Sequence, residues 1–187
     1  WRSLESLIHP KMSIEDLRTA LPDYAKDQRI NLTNVLQSEQ LNEQQLWGCA
    51  VSTAIATKNA TLMAATIKEA ESYLSPEAMA AAKAAATIMG MNNIYYRFQH
   101  VASNANYKNM PARLRMQVIA RPGVEHADFE LWCLAVSAIN GCSACVDSHE
   151  KVVLEKGLSE AAVLDAVRIA SVMHAAATAL NTEEAIA

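Results

Sequence analysis

Three of the chain's four cysteines fall between Glu130 and Glu150, in E-L-W-C-L-A-V-S-A-I-N-G-C-S-A-C-V-D-S-H-E. Two of them, Cys142 and Cys145, form its only C-x-x-C, and His149 follows the second thiol by four residues. On a helix that spacing puts thiol and imidazole on one face, about 5–6 Å apart at Cβ. An imidazole so placed can take the thiol proton and hold the thiolate, which is the reactive form of cysteine. Directly ahead of Cys142 stands Asn140-Gly141, a strong turn dipeptide. Along one unbroken helix Glu130 would lie roughly 28 Å from His149, far out of reach. A break at Asn140-Gly141 folds the stretch into an antiparallel hairpin instead, and Glu130 and His149 then come roughly level. A Glu–His–Cys relay beside a second cysteine is the outline of a thiol redox site.

Other chemistries compete for the same residues. Cys142, Cys145 and His149 are ligands of the kind zinc takes, with Cys133 or Glu130 available to complete a tetrahedron, so a zinc-stabilised structural module is a rival. Structural zinc sites usually pair two ligand clusters, however, and no second C-x-x-C occurs. Cys49 and Cys133 each lie in or beside an L-W segment at a helical position expected to face packing, without a nearby base. His9, His100, His126 and His174 show no partner pattern. Trp47 and Trp132 read as core anchors.

The elements that must position these groups are helices. The chain of 187 residues is 51% hydrophobic but only 5% aromatic, and much of the apolar content is alanine, the best helix former. Ser13 reads as an N-cap with Asp16 three residues on, opening a short helix that ends near Pro22. Helical segments are expected over 23–56, 62–73 and 76–98, broken at Lys58-Asn59 and restarted at Ser75-Pro76-Glu77, with Pro in the first helical position. Residues 104–109 read as a loop, and Pro111 as the start of a helix to about Ala120. Arg121-Pro122-Gly123 reads as a turn, Asp128 as the cap of the helix carrying Glu130, Gly157 as the C-cap of the C-x-x-C helix, and Ser159 as the start of a last helix to about Leu180.

The first half echoes the second at an offset of 84–85 residues. L-W-G-C-A-V-S at 46–52 matches L-W-C-L-A-V-S at 131–137, and the blocks at 74–89 and 158–173 match in the same order. The expected architecture is an all-α, single-domain helical bundle of two repeated units, about 12–100 and 101–187. Gln45 stands where the second unit has Glu130, so the chemistry belongs to the second unit and the first is scaffold. The formal charge of −4, without a basic cluster, argues against nucleic acid as partner. No apolar run reaches the roughly 18 residues that span a bilayer. Residues 1–11 lack the apolar centre of a signal peptide and are expected to be a vector remnant or an upstream extension. The cysteine usage fits redox or metal chemistry in the cytoplasm better than a disulfide scaffold.

Glu130, eleven residues, C-x-x-C, three residues and His149, with L-W after the glutamate and S-A-I-N-G-C leading into the first thiol, resembles the alkyl hydroperoxidase D family of the carboxymuconolactone decarboxylase-like superfamily. The resemblance runs from about Met12 to near the C-terminus and includes I-M-G-M-N-N at 88–93. It implies an antioxidant thiol peroxidase that reduces alkyl hydroperoxides without a bound cofactor. Cys145 would be peroxidatic, Cys142 would resolve it as a Cys142–Cys145 disulfide, and Glu130 would orient His149. The residues alone leave open which sulfur reacts first. The implied partners are organic hydroperoxides, a two-cysteine peroxiredoxin, and a lipoyl-bearing acyltransferase supplying dihydrolipoamide electrons, with a homotrimer or larger assembly. A thiol–disulfide carrier with little peroxidase activity of its own is the alternative. The superfamily's decarboxylase branch relies on other residues and leaves the C-x-x-C unexplained. The sequence departs from the family at Ala144, where familiar members carry a second histidine between the cysteines. An imidazole there is expected to point to a different side of the helix from His149.

Overall fold

A computed structural model describes residues 12–186, so the expectation for residues 1–11 lies outside the described residues. Nine α-helices and two short 3-10 helices lie among these residues, with no strand. The helices are α1 Ile14–Ala20, α2 Lys26–Val35, α3 Glu43–Thr57, α4 Ala60–Ala70, α5 Pro76–Val101, α6 Gln117–Ala120, α7 His126–Ile139, α8 Ser143–Glu155 and α9 Glu160–Ile186. Most of their starts follow from local chemistry. Ser13 and Asp16 form the reciprocal capping box at α1, and Asn42 and Gln45 form another at α3. Ser75 caps α5 with Pro76 behind it, and the Ser159 hydroxyl accepts from the Ala162 amide at α9.

Helices of similar length recur in the same order in the two halves, α3-α4-α5 and then α7-α8-α9. The paired helices α3 and α7 cross at the centre, flanked by α5 and α9. At Gly48 the indole of Trp132 occupies the space that a Cβ would need. Trp132 is fully buried, and its Nε1–H donates to the Gln45 carbonyl at 3.1 Å. Trp47, in the matching position, stacks on Tyr73 with ring centroids 4.6 Å apart. Both tryptophans are core anchors, as their place in the repeats suggested.

Three expectations fail locally. Pro111 opens no helix: residues 111–116 are irregular, Arg113 takes φ 51°, and only Gln117–Ala120 is helical. Asp128 does not cap α7, which begins two residues earlier at His126. It lies inside the first turn, buried, where its two carboxylate oxygens accept from Gln44 at 2.7 Å and Gln45 at 2.8 Å. Finally, α9 runs to Ile186 and contains a window long and apolar enough, by length and composition, to cross a membrane. Alanines raise that average although Asp165, Arg168 and His174 interrupt the run, and half of the window is buried inside the bundle.

Candidate active site

The candidate site is built around the turn between α7 and α8. Gly141 adopts φ 65°, a left-handed conformation that glycine enters without the steric penalty of a Cβ. Its N–H donates to the Ala138 carbonyl at 3.3 Å, and the Cys142 N–H donates to Ser137 at 3.2 Å. These two bonds are the Schellman closure of α7, and they reverse the chain so sharply that Cys142 is already the N-cap of α8. The turn is tied to α5 as well. Asn140 Nδ2 donates to Asn93 Oδ1 at 2.9 Å, Asn93 Nδ2 donates to Ser137 Oγ at 2.8 Å, and the Arg97 guanidinium donates to the Asn140 carbonyl.

The hairpin brings Glu130 and His149 together. Glu130 Oε2 stands 2.5 Å from His149 Nδ1, and both residues are buried, Glu130 to 3% exposure. The other ring nitrogen, Nε2, lies 3.2 Å from the thioether of Met89. The second carboxylate oxygen of Glu130 faces His126 Nε2 at 3.3 Å, and that nitrogen also lies 3.0 Å from the Ile119 carbonyl. The carboxylate therefore holds one histidine on each oxygen.

Cys142 and Cys145 are joined as a disulfide across the first turn of α8. Cys142 is wholly buried, whereas Cys145 is 5% exposed and borders a cavity of about 300 Å³. Glu130 and His149 border the same cavity, and Tyr96, Met116, Ile119 and Val152 make much of its wall apolar. The two remaining cysteines are elsewhere. Cys49 and Cys133 are fully buried and unpaired among the described residues, and burial pushes both thiols far above the usual cysteine range. Nearby carboxylates reinforce the effect, Asp128 on Cys49 and Glu130 on Cys133. Their expected role as packing residues holds.

The zinc reading finds no ligand cluster. Among the described residues no group of three or more His, Cys, Asp or Glu side chains is gathered for a metal, and the two sulfurs of the motif bond each other. Ala144, exposed where His149 is buried, borders the same cavity as Cys145 and His149. One expectation about a single residue needs correction. His126 has a partner after all, the carboxylate of Glu130 four residues on, and that i, i+4 spacing was there to be read. Met89 and Asn92 were flagged only inside the 88–93 block, since nothing local in sequence links α5 to the hairpin.

What the arrangement can do chemically is narrow. A buried carboxylate–imidazole pair can hold and pass a proton beside a sulfur that cycles between thiolate and disulfide. The chain is similar to known proteins. The Carboxymuconolactone decarboxylase family profile matches residues 105–187. Proteins named alkyl hydroperoxide reductase AhpD are similar over nearly the whole chain. The one from Solibacter usitatus is 56% identical over 172 residues, covering 92% of this chain and 97% of that protein. That from Gluconacetobacter diazotrophicus is 58% identical over 175 residues, covering 94% and 96%, and that from Rhodopseudomonas palustris is 57% identical over 170, covering 91% and 94%. With more than half of its residues shared along nine-tenths of its length, this chain belongs to the AhpD family of alkyl hydroperoxide reductases and is an oxidoreductase of that kind.

Proposed function

We propose that the protein reduces organic hydroperoxides at Cys145, with Cys142 as resolving cysteine and Glu130–His149 as the proton relay. The observation that carries this reading is the cavity itself. One largely apolar hollow is bordered at once by the less buried sulfur of the disulfide and by a buried carboxylate–imidazole pair. The unequal burial of the sulfurs supports Cys145 as the one that meets peroxide, and the apolar wall suits an alkyl group.

The chemistry balances as follows. In the reduced protein the Cys145 thiolate attacks the distal oxygen of R–O–O–H, forming S–O and breaking O–O. The departing alkoxide takes a proton from the imidazolium of His149 and leaves as alcohol. The Cys142 thiol passes its proton to the relay and attacks the Cys145 sulfenic acid, and hydroxide departs with that proton as water. A dithiol then reduces the disulfide: one of its thiolates attacks Cys145, the Cys142 thiolate leaves, and the second thiol of the reductant displaces Cys145. Glu130 holds the imidazole in place while its charge comes and goes.

A slender dithiol such as a dihydrolipoyl arm fits that access better than a folded surface does, because Cys142 is wholly buried and Cys145, 5% exposed, borders the cavity. We take such an arm, on an acyltransferase subunit, as the electron source, and a peroxiredoxin as a further acceptor of the relay. The cytoplasm, which keeps dithiols reduced, is the compartment; recovery only in a secreted fraction would contradict it. An exposed apolar stripe of Ile94, Phe98 and Val101 on α5, continued by Tyr107, Met110 and Leu114, supports self-association into a trimer or larger ring. A monomer in sedimentation at micromolar concentration would refute that part.

One experiment tests the core of the reading. One equivalent of cumene hydroperoxide added anaerobically, without any peroxiredoxin, should remove two titratable thiols and join Cys142 to Cys145. In Cys142→Ser a sulfenate should become trappable on Cys145. Zinc released in stoichiometric amount would move the site to the structural-metal class. Oxidation only by a disulfide-form peroxiredoxin would make the protein an electron carrier.

A further inference from the structure

Asn92 lies one turn beyond Met89 on α5 and one turn before Tyr96, in a row that faces the hairpin. Met89 touches His149, and Asn92 and Tyr96 border the cavity beside Cys145. Asn92 is 4% exposed, and its Oδ1 is the one buried side-chain oxygen or nitrogen left without a hydrogen-bond partner among the described residues. Its Nδ2 makes no hydrogen bond to another described residue either. Its neighbour Asn93 shows what such a carboxamide does when its task is structural: both of its ends are engaged, with Asn140 and Ser137. Buried amides are almost always paired, so a buried carboxamide left open beside a reactive sulfur points to a partner that arrives from outside.

We infer that Asn92 binds the hydroperoxide group of the substrate. The complement is chemical. A hydroperoxide carries one O–H donor on its distal oxygen and lone pairs on both oxygens, and a carboxamide presents one acceptor and two donors. Oδ1 accepts from the distal O–H, which turns the distal oxygen toward the Cys145 sulfur. Nδ2–H donates to the proximal oxygen. As the sulfur lone pair forms the S–O bond, the O–O electron pair moves onto that proximal oxygen, and the amide stabilises the alkoxide until His149 delivers its proton. The inference rests on the peroxidase reading above and adds the residue that selects a hydroperoxide and orients it.

The test separates the two half-reactions by stopped flow in wild type, Asn92→Leu and Asn92→Ala. Oxidation of the reduced protein by cumene hydroperoxide should slow by about 10²-fold, the usual loss for one donor on developing charge. Reduction of the disulfide by dihydrolipoamide, which carries no O–O–H, should stay within about threefold. Melting separates this role from a structural one. Replacing an unpaired buried carboxamide by an apolar side chain of similar size should leave Tm unchanged or raise it by about 2–4 °C. Oxidation within about threefold of wild type in both variants overturns the inference. So does a joint fall of both half-reactions with a lowered Tm, which would make Asn92 a packing residue. Failure of wild type itself to form the disulfide with peroxide would sink the peroxidase reading, and this inference with it.

Discussion

Exchanging Glu130 for glutamine keeps the side chain's shape and removes the charge that two histidines address. Glu130 meets His149 Nδ1 at 2.5 Å and His126 Nε2 at 3.3 Å; its own carboxylate and His149 are buried, whereas the His126 ring is 34% exposed. The imidazolium form of His149 then loses its counter-charge and its orienting acceptor, since the glutamine can turn either its oxygen or its NH2 toward Nδ1. Lost acid–base assistance of this kind slows a reaction by about 10²–10⁴-fold, so peroxide oxidation of the reduced protein should fall by roughly 10³-fold, near 4 kcal/mol on the barrier. His149→Gln should cost about as much. Because the two act through one proton, the double variant should be impaired little more than either single one, not by the product near 10⁶. Stability provides an independent reading: losing a charge-assisted hydrogen bond costs about 1.5–3 kcal/mol, which at this chain length lowers Tm by about 3–12 °C. Stopped-flow oxidation of the four proteins, with melting curves, decides the matter. Multiplicative losses would mean that Glu130 and His149 work separately, and the relay would have to be abandoned.

Gly48→Ala should lower Tm although alanine is the better helix former. The propensity gain is about 1 kcal/mol, whereas the new Cβ would lie inside the indole of Trp132, which the Gln45 carbonyl and full burial hold in place, and overpacking costs about 1–3 kcal/mol or more; a raised Tm refutes the packing argument. Ala144→His narrows the cavity beside Cys145, so oxidation by cumene hydroperoxide should slow relative to hydrogen peroxide by about tenfold, and an unchanged ratio would show that residue 144 stands clear of the substrate.

The hairpin was legible because one dipeptide controls it. Asn140-Gly141 announces a turn, and once the chain reverses there, the separation of Glu130 and His149 follows by counting. The caps at Ser13 and Ser75 were legible for the same reason: each depends on neighbours within three residues. What escaped depends on contacts far along the chain. Residues 111–116 look like a helix that Pro111 starts, yet they stay irregular, and Met116 reaches the cavity wall, where the Tyr96 hydroxyl meets its sulfur at 3.6 Å. Propensity is a weak prior over so short a segment, and packing against α5 overrides it. Asp128 resembled a cap because Asp commonly is one, and nothing local revealed that two glutamines some 84 residues earlier would enclose it. The pairing of Met89 with His149 spans 60 residues and has no local signal at all.

Those distant glutamines also show what the first repeat does for the second. Gln45 occupies the position that matches Glu130, but it carries no charge. Instead its amide joins that of Gln44 in bracketing Asp128, and its carbonyl receives the Trp132 indole N–H. Asp128 lies in the first turn of α7, where the helix dipole favours a carboxylate, so a buried carboxylate with no cation against it among the described residues is held by two neutral donors and the helix end together. Trp132 closes over Gly48 one turn further along α3. Glu130 lies between these two attachments, two residues from each. The first turn of α3 thus fixes the rotation and depth of α7 at the one place where the carboxylate must meet both histidines. The first half of the chain, which holds no C-x-x-C, thus seats the helix that carries Glu130.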